Sequence, residues 1–113
     1  MSITNQQVAG REFLRALYGD EYFPDHLLDK GRDILLRLCA RIEAERPADL
    51  AGLYALTAVA TLEFNTLQEE FWAAGSEIET MARDEIAGDF EFVVSAYGFA
   101  DADLEEVVAE RDW

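Results

Sequence analysis

Residues 27–42 read Leu27-Leu28-Asp29-Lys30-Gly31-Arg32-Asp33-Ile34-Leu35-Leu36-Arg37-Leu38-Cys39-Ala40-Arg41-Ile42. Leu27, Leu28, Gly31, Ile34, Leu35, Leu38, Cys39 and Ile42 recur at spacings of one, three and four, which is the pattern of an α-helix with one buried face. The opposite flank carries His26, Lys30, Arg37 and Arg41 in one narrow stripe. Pro24 or Asp25 starts this helix, and Pro47 forbids its continuation, because proline lacks the N–H that a helix interior needs.

Working outward, the same period recurs on both sides. Before it, a helix is predicted from about Thr4 to Tyr18, capped by Thr4 or Asn5 and stopped by Gly19. After it, Asp49 opens a helix to about Ala74, with Leu53, Leu56, Ala60, Phe64, Leu67 and Phe71 as its main stripe. Val59 and Leu62 fall on the far side of that helix, which suits a central position or an oligomer contact. Gly75 stops it, and Ser76 with Glu79 has the spacing of a capping box for a fourth helix ending at Gly98. Phe90, Phe92 and Val94 also alternate as a strand would, but no second strand is present to pair with them. A short fifth helix is predicted after Asp101, burying Leu104, Val107 and Val108. The expectation is an all-α fold, one bundle-like domain of about five helices over residues 1–113.

Composition agrees with a folded domain and removes several functions. The chain of 113 residues is 50% hydrophobic and 12% aromatic, too apolar for disorder even at a net charge of −15. That charge argues against nucleic-acid binding, which needs clustered Lys and Arg, and against anionic membrane surfaces. No basic-then-apolar leader is visible at Met1–Asn5, and no apolar stretch is expected to reach the ~20 residues of a bilayer span. A cytoplasmic protein is therefore expected. The charge is uneven: residues 57–113 hold fifteen acids and only two bases, Arg83 and Arg111. The acidic half is either solvated, or folded against the bases of the first half, or a docking face for a basic protein partner.

Complete catalytic sets are missing. His26 and Cys39 are the only histidine and cysteine, and thirteen residues along one helix separate them by about 20 Å. A di-iron bundle needs two Glu-x-x-His pairs, so one histidine cannot build it. In the acidic run Asp101–Glu106, Glu106 stands where a calcium loop requires glycine. No phosphate loop, dinucleotide fingerprint or Cys-x-x-Cys motif is present, and no cofactor is implied.

Two groups of residues stand out. Glu85 and Asp89 lie four apart on the fourth helix, at the edge of its apolar arc. They read either as a metal half-site or acid/base pair, or as carboxylates paired with Lys30, Arg37, Arg41, Arg83 or a neighbouring helix N-terminus. Tyr22, Phe23 and His26 form a recognition edge on the loop before the second helix, or else Tyr22 and Phe23 plug the end of the bundle. Trp113 either docks in the core or joins Val59 and Leu62 in a homo-oligomer contact. The glycines inside the helices, Gly10, Gly31, Gly52 and Gly88, are expected to mark close helix–helix approach.

The strings Tyr22-Phe23-Pro24, Asp29-Lys30-Gly31, Glu77-Ile78-Glu79-Thr80, Ala96-Tyr97-Gly98-Phe99 and Arg111-Asp112-Trp113, in this order, resemble a small bacterial family of all-helical acidic proteins of unknown function. The resemblance covers nearly the whole chain. It implies a bacterial cytoplasmic protein and carries over no reaction, cofactor or site residue. Two functions are expected on these grounds. One is a non-enzymatic protein-binding module, immunity-like or regulatory; the other is a metal-dependent or acid/base enzyme using Glu85 and Asp89.

Overall fold

The computed structural model describes residues 3–113. The elements are α1 (Gln6–Ala9), a 3₁₀ turn (Arg15–Leu17), α2 (Asp25–Glu45), α3 (Leu50–Ala73), α4 (Thr80–Ala96) and α5 (Leu104–Val107). No strand occurs among the described residues, and the fold is all-α. The alternation at Phe90–Val94 resolves as helix: Phe90 and Val94 are buried with Val93 on α4, while Phe92 is half-buried on its flank.

α2 and α3 form an antiparallel pair. Lys30 meets Glu70 and Arg37 meets Glu63, so seven residues forward on one helix match seven back on the other. Asp49 caps α3, its Oδ1 accepting the Gly52 N–H at 2.9 Å. Gly31 lets the two helices and the N-terminal segment close together. A Cβ there would lie 2.7 Å from Leu14 Cδ1 and 3.3 Å from Phe64 Cε1. Gly88 breaks that pattern, because a Cβ there meets nothing within 4 Å. It weakens α4 with no packing return, so Gly88→Ala should raise the free energy of unfolding by about 1 kcal/mol in urea titration.

The helix ends are built from local chemistry, with two departures from the sequence reading. Gly75 at φ 78° ends α3, where the Ser76 N–H reaches the Phe71 carbonyl at 2.8 Å and the Gly75 N–H the Trp72 carbonyl at 3.0 Å. Gly98 at φ 91° ends α4 in the same way, through Phe99 to Val94 and Gly98 to Ser95. Ser76 is thereby spent on stopping α3 and does not cap α4. Glu79 takes that place, accepting the Ala82 N–H at 3.2 Å, and the Ser76 hydroxyl is buried without a partner. The cap of α5 is Asp103, not Asp101, with its carboxylate on the Glu105 N–H at 3.0 Å.

The predicted first helix is the largest correction. Only Gln6–Ala9 is α-helical, capped by Asn5, and the chain leaves the helix at Gly10. Leu14 then adopts a left-handed conformation at φ 58° before the 3₁₀ turn. This path buries Val8, Phe13, Leu14 and Leu17, each 2% exposed or less.

The core gathers at Phe64, Phe90 and Trp113, whose ring centroids lie 5.8, 6.1 and 6.5 Å apart. Asn65 on α3 secures the last segment, donating to the Glu110 carbonyl and accepting the Asp112 N–H, both at 2.8 Å. Trp113 is thus inside its own chain, 5% exposed, and is removed from the predicted homo-oligomer contact. Val59 and Leu62 stay on the surface, 41% and 50% exposed. By length and composition α3 does qualify as a bilayer-crossing helix, against the sequence expectation, since Glu63 is the only charge over Leu50–Leu67. Here its inner face, from Leu53 to Phe71, is buried in the core.

Candidate functional site

α4 carries Glu85 and Asp89 on successive turns, and both face the N-terminal segment. Asp89 is 1% exposed, a carboxylate that needs partners to be tolerated. Its Oδ1 accepts from Arg11 Nε at 3.2 Å and Nη2 at 2.9 Å, and its Oδ2 accepts the Leu14 N–H at 2.7 Å. Glu85 Oε2 accepts the Ala16 N–H at 2.8 Å. Two carboxylates from α4 therefore supply the acceptors for a turn that its own side chains do not cap. The Arg11 guanidinium also lies 4.3 Å from the centre of the Phe92 ring, held between the carboxylate and the aromatic face.

Electrostatics at Asp89 are a balance. Burial pushes its carboxyl above the usual aspartate range, while the Leu14 N–H and Arg11 pull it back and Glu85 adds to the rise. The cation here is Arg11, not Lys30, Arg37, Arg41 or Arg83. Beside Glu85 opens a groove of about 670 Å³ lined by Arg11, Glu12, Arg15, Ala16 and Tyr18. Neither His26 nor Asp89 lines it.

The loop residues divide. Phe23 is 2% exposed and packs edge-on against Phe71, with ring centroids 6.4 Å apart. Tyr22 lies on the surface, 43% exposed, its ring 5.1 Å from that of Phe23. Its phenol is pushed up by desolvation and then by Glu77 and Glu79. His26 is exposed on the first turn of α2. The structure thus joins Glu85 and Asp89 to the N-terminal segment, and leaves Tyr22 and His26 at the surface. Among the described residues, no three His, Cys, Asp or Glu side chains converge as a metal site requires. Cys39 is fully buried, and burial pushes its thiol up to about 12, far from a thiolate at neutral pH.

Residues 7–113 match a protein family described as a family of unknown function, DUF5713. The chain belongs to that family. No curated protein and no solved structure matches it.

In this DUF5713 member a second carboxylate site escaped the sequence reading. Glu43 of α2 accepts from the Thr4 N–H at 2.9 Å, the Thr4 hydroxyl at 2.9 Å, the Asn5 N–H at 3.1 Å and the Tyr97 hydroxyl. Asn5 also donates to the Ala96 carbonyl at 2.8 Å. Asn5 was legible as a helix cap, but nothing local to Glu43 announces donors from residues 4, 5 and 97. These bonds, led by Tyr97, hold the Glu43 carboxyl down at about 2, against an ordinary 4.5. A depressed folded-state value stabilises the fold above the unfolded value and is lost as pH falls. The Glu43 contribution should therefore vanish between pH 4.5 and 2. Urea midpoints against pH should show a shallower acid decline for Glu43→Gln than for the parent chain. Equal slopes would remove this role.

Proposed function

We infer that this DUF5713 member is a non-enzymatic protein-binding module that docks a basic protein on the acidic side formed by α4, α5 and the segment after them. The cytoplasmic setting and bacterial origin implied by the sequence resemblance belong to the same reading. The observation that carries it is the distribution of unpaired charge. Of the fifteen acids in residues 57–113, Glu63, Glu70 and Asp89 pair with Arg37, Lys30 and Arg11. None of the other twelve pairs with a base among the described residues. Asp84, Glu91, Asp101, Glu105, Glu106, Glu110 and Asp112 are all exposed. A surface of one sign raises association rates with a basic partner and repels acidic ones.

The enzyme reading has less support from the same geometry. The two carboxylates that would serve it, Glu85 and Asp89, are engaged by backbone N–H groups and Arg11. The binding reading is tested by affinity capture with the intact chain at about 0.05 M and about 0.5 M salt, since surface ion pairs weaken as the screening length shrinks. A basic protein should be retained at low salt, released at high salt, and lost with D84K/E91K. Failure to retain any basic protein at low salt, or equal retention by D84K/E91K, sinks the proposal.

A further inference from the structure

We propose that the outer face of α4 seats a basic α-helix of the partner protein, packed closely across Gly88. This rests on the reading of an acidic docking side and names the place and shape of the contact on it. Met81, Asp84, Gly88, Glu91 and Ser95 are all exposed and recur at spacings of three and four. They form one straight face about 21 Å long at 1.5 Å per residue. It lies opposite the buried side of the helix, which carries Ala82, Ile86, Phe90 and Val93.

Gly88, at the centre of this face, is the observation that points to a partner. Inside a helix glycine is the poorest choice after proline, because it frees the unfolded chain and adds no side chain to pack. Gly31 offsets that cost by admitting Leu14 and Phe64, but a Cβ at Gly88 meets nothing of this chain within 4 Å. Nor does Gly88 use the backbone freedom of glycine, since it lies inside α4 and its φ is not positive. What it provides is an exposed strip of bare helix backbone. A second helix can settle there closer than the usual axis separation of about 8–10 Å. Met81, 44% exposed at one end of the face, is an apolar side chain flexible enough to fit a partner's surface.

Charge selects the occupant. Asp84 lies four residues before Gly88 and Glu91 three after it, and neither pairs with a base among the described residues. Few bases stand near. Arg11, over the Phe92 ring on one flank, is held by Asp89, and Arg83 is exposed on the first turn of α4. On α5, which packs against α4, Glu105 and Glu106 are exposed and add to the negative side. The outer face of α2 differs, because its bases Lys30, Arg37 and Arg41 are already matched by Glu70, Glu63 and Glu45. A helix with small residues between lysines or arginines answers both features of α4. Its bases reach Asp84 and Glu91 while its small side chains lie on Gly88. An acidic helix, the α4 of a second copy included, is repelled.

Two defined probes separate this contact from charge alone. One is an alanine–lysine peptide of about 20 residues, long enough to be helical by itself, with an alanine stripe between its lysines. The other is a lysine–glycine peptide of equal length and charge that stays unfolded. Calorimetric titration of the full chain at about 0.05 M salt should give the helical peptide the lower Kd. Gly88→Leu should raise that Kd at least about tenfold, and the Kd of the unfolded peptide less than about twofold, by filling the close-approach site. The circular dichroism spectrum should not change, because a side chain at this position enters open space. Gly88→Ala should raise the melting temperature and yet weaken the helical peptide, whereas a purely structural role moves only the melting temperature. D84K/E91K should weaken both peptides. A helical peptide that fails to bind, or binds no tighter than the unfolded one, overturns the proposal. So does a Gly88→Leu variant that binds the helical peptide as the parent does, or that weakens both peptides equally. In each case the acidic docking side is judged separately, by whether D84K/E91K loses a captured basic protein.

Discussion

Asp89→Ala lowers the free energy of unfolding by about 3 kcal/mol, measured by urea titration at neutral pH. The loss has three sources. The Leu14 N–H loses its acceptor at 2.7 Å, inside a left-handed turn whose Phe13, Leu14 and Leu17 side chains are buried. A buried donor left without a partner costs about 1–3 kcal/mol. Arg11 loses the carboxylate that neutralises it. Because Arg11 is 38% exposed it rehydrates in part, which keeps the total below that of a fully buried pair. Finally, the methyl group leaves unfilled space beside Arg11 and Leu14. Asp89→Asn keeps an acceptor for Leu14 but sets an amide against the guanidinium, so it costs less than Asp89→Ala while remaining destabilising. If Arg11→Gln and Asp89→Ala destabilise additively in a double-mutant cycle, the ion pair has no coupling and this account of the N-terminal segment fails.

Trp113→Ala should cost more, about 3–5 kcal/mol, the range for emptying a buried aromatic site. Its ring lies 6.1 Å from Phe64 and 6.5 Å from Phe90, and the Arg111 guanidinium lies 5.5 Å from it. Trp113→Phe is the informative partner. The indole N–H of Trp113 is buried without a hydrogen-bond acceptor, so phenylalanine removes an unsatisfied donor while keeping much of the ring contact. A cost of about 1 kcal/mol or less is expected, the loss of area being offset by the loss of the orphan donor. A Trp113→Ala variant as stable as the parent would show that the last segment is not part of the core.

How legible these features were depends on the range of the interactions. The helix spanning Asp25–Glu45 could be read from its own period, and the cap at Asp49 from one side chain three residues from its donor. Gly75 and Gly98 ended their helices where expected, since their positive φ is a property of a single residue. Ser76 was misread because two local motifs compete for it. It can close α3 or cap α4, and the Gly75 stop before it decides in favour of α3. Gly88 was misread for a different reason: it too sits inside a helix, but it lies off the apolar face that Gly31 shares in α2, and nothing packs against it.

Glu85 and Asp89 show the boundary most clearly. Their spacing of four placed them on one face of α4, and a structural use at a neighbouring helix terminus was one of the readings open to them. Their partners were not legible. The Leu14 N–H lies 75 residues away and the Ala16 N–H 69 residues away, and Arg11 lies 78 residues from Asp89. Those same bonds explain why Thr4–Tyr18 is not one helix. Acceptors from α4 replace the intrahelical ones, and Gly10 and the left-handed Leu14 let the chain turn toward them.

The sequence by itself determined the helical class, the extents of α2 and α3, the end of α4 and the concentration of negative charge in the second half. Each of these rests on periodicity, capping or composition within a few residues. Only the tertiary structure decided which carboxylates enter the interior, that Trp113 fills the core, and that Val59 and Leu62 remain outside. These outcomes depend on which faces meet, and through-space hydrogen bonds and packing between distant segments leave no local pattern from which to read them.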